Sequence, residues 1–163
     1  MKHICSNNSS SSLTAVQEGD VQPNAVDLRL GKVFKIKESD FEISNDHKVH
    51  RGSEEIIPDS EGYYNLDPGH YEVVMENIIT VGEGEAGFVI TRSTLNRNGL
   101  FITSGLYDTA YHGVMAGVLH VSIGLARIKQ GTRIGQYLSF DAEALHHYDG
   151  DYGLAKDHDS KYI

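Results

Sequence analysis

Gly87-Phe88-Val89-Ile90, Leu100-Phe101-Ile102-Thr103 and Val114-Met115-Ala116-Gly117-Val118-Leu119-His120-Val121 follow one another closely in the chain. Short apolar runs of this kind, punctuated by Gly, Asn and Asp, read as strands joined by tight turns. The pattern continues on both sides. Upstream, Val26-Asp27-Leu28-Arg29-Leu30 alternates apolar and polar residues, and Lys32-Val33-Phe34-Lys35-Ile36 follows it. His70-Tyr71-Glu72-Val73-Val74-Met75 leaves the turn Asp67-Pro68-Gly69 and is followed by Ile78-Ile79-Thr80-Val81. Downstream lies Gly135-Gln136-Tyr137-Leu138-Ser139-Phe140. Many short strands with Gly/Asp/Asn turns imply an all-β sandwich or barrel. Ser93 to Asn98 reads as a short helix capped by Ser93. Glu38 to His47 reads as an exposed loop.

The 163 residues suffice for one domain with its own core. The 17 glycines against 3 prolines fit a chain of tight turns. A net charge of −9 disfavours nucleic acid and anionic membranes as partners, since both select basic surfaces. A small anionic ligand stays possible, because a few arginines can build a local positive pocket. The lone cysteine, Cys5, cannot form an intrachain disulfide, and a cytoplasmic location is expected, in a host cytoplasm if the gene is viral. No apolar run reaches membrane-span length, and Met1 to Thr14 lacks the apolar core of a signal peptide. Residues 1–20, with the Ser/Asn tract Ser6 to Ser12, are expected to form a flexible arm. Residues 21–141 form the barrel domain. Residues 142–163, rich in Asp, His, Tyr and Gly, read as a mobile tail able to close over a site.

Arg92 to Gln136 contains the parts that a nucleoside triphosphate site needs. Arg92 and Arg97 can meet phosphate through paired donors, and the Ser93 hydroxyl adds another. The bland alternative is a surface turn with two solvated arginines. Asp108 is a hairpin carboxylate that can activate water, or a turn aspartate bonded to its own backbone. Tyr111 offers a flat face for a sugar, or is a half-buried strand tyrosine. Gln136 is a neutral donor for phosphate oxygens, or a polar residue on a strand face. The nine histidines, including His146-His147, lack zinc-ligand spacing, so no protein-held metal is expected.

Five segments then occur in a telling order. They are Gln22-Pro23-Asn24-Ala25-Val26-Asp27-Leu28-Arg29-Leu30-Gly31, Leu66-Asp67-Pro68-Gly69-His70-Tyr71, Arg92-Ser93-Thr94-Leu95, Gly105-Leu106-Tyr107-Asp108 with Tyr111-His112-Gly113, and Gly131-Thr132-Arg133-Ile134-Gly135-Gln136. Together, over roughly Val21 to Phe140, the chain resembles the superfamily of dUTP nucleotidohydrolases (dUTPases) and metal-free dCTP deaminases. The resemblance implies a distorted jelly-roll-like β-barrel, assembled as a homotrimer with active sites shared between subunits. It implies that Arg92, Ser93, Thr94, Arg97 and Gln136 bind phosphates of a deoxynucleoside triphosphate. It places Asp108 beside the α-phosphate to deprotonate water, and Tyr111 under the deoxyribose, where a 2′-hydroxyl would clash. Mg²⁺ would enter with the triphosphate rather than through a protein cage. Asp27 is assigned a supporting role behind the site.

The same resemblance separates two chemistries. The deaminase branch needs a glutamate ten residues after the hairpin aspartate, and that position is Val118. No glutamate lies between Arg97 and Asp141, and His120 is the nearest substitute base. Two features also depart from the hydrolase pattern: His112 stands where an arginine is usual, and Tyr148-Asp149-Gly150-Asp151-Tyr152-Gly153 replaces the glycine-rich closing motif. A hydrolase needs no glutamate at 118, so hydrolysis of dUTP to dUMP and pyrophosphate is the expectation. The alternatives are dCTP deamination and a non-catalytic deoxynucleotide-binding relative.

Overall fold

The protein's computed structural model describes residues 1–163. Its strands are β1 (Ser12–Leu13), β2 (Val26–Ile36), β3 (Glu42–Ile43), β4 (Lys48–Val49), β5 (Ser53–Ile56), β6 (Tyr63–Leu66), β7 (Gly69–Thr80), β8 (Glu85–Thr91), β9 (Leu100–Thr103), β10 (His112–Val121), β11 (Ala126–Lys129) and β12 (Arg133–Asp141). One helical turn, α1 (Ser93–Asn96), links β8 to β9, and a 3₁₀ helix, Asp157–Tyr162, ends the chain. Two pairs of runs that look separate in sequence are single long strands, β2 and β7. Gly31 joins the halves of β2: a side chain there would set its Cβ 2.9 Å from the Val74 carbonyl oxygen. The β2–β7 ladder slips between Leu30 and Lys32, so the glycine carries a bulge that bends the sheet.

The main sheet runs β8-β12-β2-β7-β10-β9, with β1 added to β7 and β5 to β2, and each of these pairings is antiparallel. Its two end strands, β8 and β9, meet through side chains. Thr91 Oγ1 accepts the Ile102 N–H at 2.7 Å, and Ser104 Oγ accepts the Val89 N–H at 3.2 Å. This nearly closes an all-β barrel. Alternating residues such as Leu28, Leu30, Val73, Met75, Met115, Leu119 and Ile134 point inward and form one buried core. β6 pairs with β11, and β3 with β4 as an exposed hairpin.

Three expectations need correction. The first residues are not a free arm. Ile4 joins the core, Lys2 bridges to Ser139, and Ser9, Ser10 and Ser11 all bond the buried carboxylate of Glu85. A serine tract has little to bury by itself, but its hydroxyls are ligands for an anion supplied by the barrel. The C-terminal residues are packed as well. Tyr162 is buried against Phe34, and buried Asp159 accepts the Gly153 N–H at 2.7 Å. Ser93 does not cap α1: Arg92 is the N-cap residue, and no side chain bonds the first turn.

Candidate functional site

Asp27 lies on β2 directly across the ladder from Gln136 on β12, and it is fully buried. Burial of a carboxylate is costly unless donors surround it. Gln136 Nε2 donates to it at 2.9 Å, Gln22 Nε2 at 3.2 Å and Arg133 Nη1 at 3.3 Å. Arg92 Nε stands 3.4 Å from the same carboxylate. Two guanidiniums thus converge on one carboxylate, which leaves a positive excess at the barrel rim. Arg92 Nη1 also donates to the Arg133 carbonyl at 3.3 Å, which fixes its orientation. Ser93, Thr94 and Arg97 sit exposed on the adjoining turn, and their side chains make no hydrogen bond or ion pair. The rim can therefore offer charged and neutral donors to an anion.

Asp108 and Tyr111 lie elsewhere. No hydrogen bond or ion pair joins either of them to Arg92, Ser93, Arg97 or Gln136 within one chain. Asp108 is exposed with a free carboxylate. The Tyr111 N–H closes the hairpin onto the Asp108 carbonyl at 3.0 Å. Ala110 between them adopts φ of 69°, an unusual conformation for a residue with a Cβ, so the turn is strained. The Tyr111 ring is buried between Tyr107 and Tyr148, and its hydroxyl donates to the Val114 carbonyl at 2.8 Å.

Tyr107, Tyr111 and Tyr148 all line a cavity of about 530 Å³. The cavity runs between the hairpin, strand β10 and the C-terminal residues, and Leu106, Gly117, Val118 and Glu72 contribute to its wall. Val118 brings no ionisable group to it. His120 is not among the lining residues. Its ring stacks on Phe101 and shares a 2.8 Å Nδ1–Nδ1 contact with His70, while Nε2 meets the Thr103 hydroxyl at 2.9 Å. Burial and then the neighbouring His70 hold its pKa down.

Sequence reading missed Glu72. It faces Val118 across the β7–β10 ladder, so a carboxylate enters the wall from the neighbouring strand. Its partners are Tyr162, through a short phenol–carboxylate contact, and Lys161 at 3.0 Å. Burial pushes Glu72 up, but the Tyr162 hydroxyl and the Lys161 ammonium outweigh it and hold the carboxyl below its ordinary range. A period-two pattern marks Glu72 as outward-facing; only the register places it opposite position 118.

A nearly closed antiparallel barrel, with two arginines converging at its rim and a strained hairpin set apart from them, is a β-barrel of the dUTPase type. Comparison with known proteins agrees. A family model described as dCTP deaminase-like matches residues 3–141, and the chain belongs to that family. A probable deoxyuridine 5'-triphosphate nucleotidohydrolase of Halobacterium salinarum is 30% identical over 144 residues, 84% of this chain and 85% of that protein. A dUMP-forming dCTP deaminase of Persephonella marina is 34% identical over 104 residues, 62% of this chain and 56% of its own length. Among solved structures, a 2'-deoxycytidine 5'-triphosphate deaminase from Agrobacterium tumefaciens superposes with a TM-score of 0.60 at 16% identity, covering 83% of this chain and 45% of that one. At that identity the match speaks to the fold alone.

Proposed function

We propose that this protein hydrolyses dUTP to dUMP and pyrophosphate, and that it does so as a homotrimer with shared sites. The observation that carries the reading is the separation of the site into two halves. The rim donors Arg92, Ser93, Thr94, Arg97 and Gln136 gather near Asp27, while Asp108 and Tyr111 stand apart on the hairpin. Gln136 borders an outward strip of β8 and β12 made of Phe88, Ile90, Leu138 and Phe140, in which Phe88 and Ile90 are each 38% exposed. An exposed apolar strip of this kind beside an incomplete polar site suits coverage by a second copy, whose hairpin would complete the site.

In this reading the arginines and Gln136 hold the phosphate chain, and Tyr111 supports the sugar. Asp108 takes a proton from the attacking water as its oxygen bonds the α-phosphorus and pyrophosphate departs. The residues suit an Mg²⁺ delivered on the triphosphate: Asp108 is exposed and unpaired, whereas Asp27 is already saturated by two arginines and two glutamines. Bound in this way, the ion would neutralise and orient the phosphates. Val118 favours hydrolysis over deamination, as do the several relatives named as dUTP nucleotidohydrolases.

Incubation with each deoxynucleoside triphosphate and Mg²⁺, followed by product separation, tests the reading. Pyrophosphate with dUMP is expected from dUTP. Ammonia from dCTP at a matching rate would overturn it. Asp108→Asn should lower kcat by about 10²–10⁴-fold with nucleotide affinity largely kept, since an amide cannot take the proton. Mixed Asp108→Asn and Arg92→Ala subunits should regain part of the lost activity, and a monomeric mass by light scattering would exclude shared sites.

A further inference from the structure

The proposed hydrolysis uses none of the ionisable groups His50, Arg51, Glu72, His158, Asp159 and Lys161 that line the cavity, and of these Glu72 lies opposite position 118. Its side chain is 17% exposed, so it is largely withdrawn from water yet borders the cavity. Apart from Ser53 at its edge, the donors that satisfy it are the Lys161 ammonium and the Tyr162 hydroxyl, both within the last three residues. The rest of the tail is arranged to bring them there. Leu154 N–H bonds the His112 carbonyl at 3.2 Å, Asp159 binds the Gly153 N–H, and Tyr162 packs edge-on against Phe34 with ring centres 5.7 Å apart. Gly153 makes this crossing possible: at φ of 137° a Cβ would lie 2.9 Å from the His112 carbonyl oxygen.

An ionised carboxylate can only accept hydrogen bonds. If the final turn leaves, Glu72 keeps only Ser53 at its edge, in the wall of a cavity lined by apolar and aromatic groups together with His50, Arg51 and His158. That state is unfavourable until another donor arrives. The donor edge of a pyrimidine, an N–H flanking a ring carbonyl or an exocyclic amine, is of the right kind. The cavity adjoins Tyr111, the residue assigned to the sugar, so the base would lie within it. Lys161 and Tyr162 then stand where the ligand's own donors belong.

We propose that Glu72 is a specificity-determining acceptor for the N–H edge of the nucleobase, and that the Lys161–Tyr162 turn occupies it in the empty protein and is displaced when nucleotide enters. This rests on the reading that the cavity takes the nucleoside end of a deoxynucleoside triphosphate. The tail is then a competitor, and apparent affinity is reduced by the fraction of protein in which it is seated.

The test is calorimetric titration of the full-length protein with an α,β-imido analogue of dUTP, alongside amide hydrogen exchange of residues 153–163. In the wild type, exchange across these residues should rise when the analogue binds. Tyr162→Phe should tighten binding by about three- to tenfold, because the competitor is weakened. Glu72→Ala frees the tail too, yet should weaken binding by about tenfold, because the acceptor for the base is gone. Tighter or unchanged binding by Glu72→Ala would leave Glu72 as a latch only and overturn its role toward the base. Weaker binding by Tyr162→Phe, or greater protection of the tail with analogue, would make the tail part of the site and overturn the competition. The exchange measurement needs no variant and decides the displacement of the tail by itself; if Glu72→Ala misfolds, Glu72→Gln decides the role toward the base, with tighter or unchanged binding again overturning it. If the wild type binds the analogue and Arg92→Ala does not, while the tail is unmoved, this proposal fails and the proposed function stands. If the wild type binds no nucleotide, both fail.

Discussion

Each end of the chain is fastened to the barrel by a glutamate, and the two contacts differ in kind. At the N-terminal end Glu85, 1% exposed, accepts from the Ser9 and Ser11 hydroxyls, the Ser10 N–H and Lys2. Apart from Lys2, its donors come from backbone and short side chains that lose little entropy on ordering. Burial pushes Glu85 up, but the Ser11 hydroxyl, the Ser10 N–H and the other donors more than offset it and bring its pKa down to about 2. At the C-terminal end Glu72 faces a cavity, and its donors are a long lysine and a terminal tyrosine. The same side chain is fully enclosed at one end and borders ligand-sized space at the other, and only the second arrangement allows the displacement proposed above.

The largest expected effect breaks the enclosed contact. Glu85→Ala leaves the Ser9 and Ser11 hydroxyls and the Ser10 N–H without their acceptor, while Lys2 keeps Asp141 at 2.7 Å, and should cost about 3 kcal/mol of stability, read as a lower urea midpoint with unchanged slope. A loss no greater than that of Glu72→Ala would erase the distinction between the two ends. Acid titration sharpens it further. A folded pKa near 2 against an ordinary 4.5 means that Glu85 stabilises fully above pH 4.5 and loses this contribution as pH falls toward 2. Wild-type stability should therefore decline through that window, by up to about 3 kcal/mol from this group, and Glu85→Gln should flatten the decline. Ser11→Ala should cost about 1–2 kcal/mol, because it removes both a hydroxyl donor to the carboxylate and the acceptor of the Gly82 N–H. Tyr162→Phe should be the mildest, about 1 kcal/mol or less, since the Lys161 ion pair stays in place and is partly solvated. A larger loss would mean that the tail is integral to the fold and not a displaceable element.

Strand positions were legible because alternation reports local burial directly. Leu100–Thr103 begins and ends where the run of apolar residues does, and Gly31 and Gly69 mark the bulge in β2 and the start of β7. The Ser/Asn tract was misread for the reason that makes it work: its hydroxyls find their main acceptor in Glu85, more than seventy residues away. The phosphate-side residues were legible as types, since Arg, Ser and Gln in that order form a donor set. Their convergence on Asp27 was not, because it depends on β2 and β12 being neighbours in the sheet. Glu72 was invisible as a cavity residue for a similar reason. Its relation to Val118 is a cross-strand register, and nothing within either strand records the register of the other.

By itself, then, the sequence determined the all-β character, the family resemblance and the absence of a carboxylate at position 118. Each of these is written in local spacing or residue identity. The tertiary structure decided where both termini are held, which carboxylates are enclosed, and that the rim donors and Asp108 do not meet within one chain. These follow from strand order, register and the path of the ends over the barrel. Burial and pairing are sums over distant segments, and they exist only once the chain has closed.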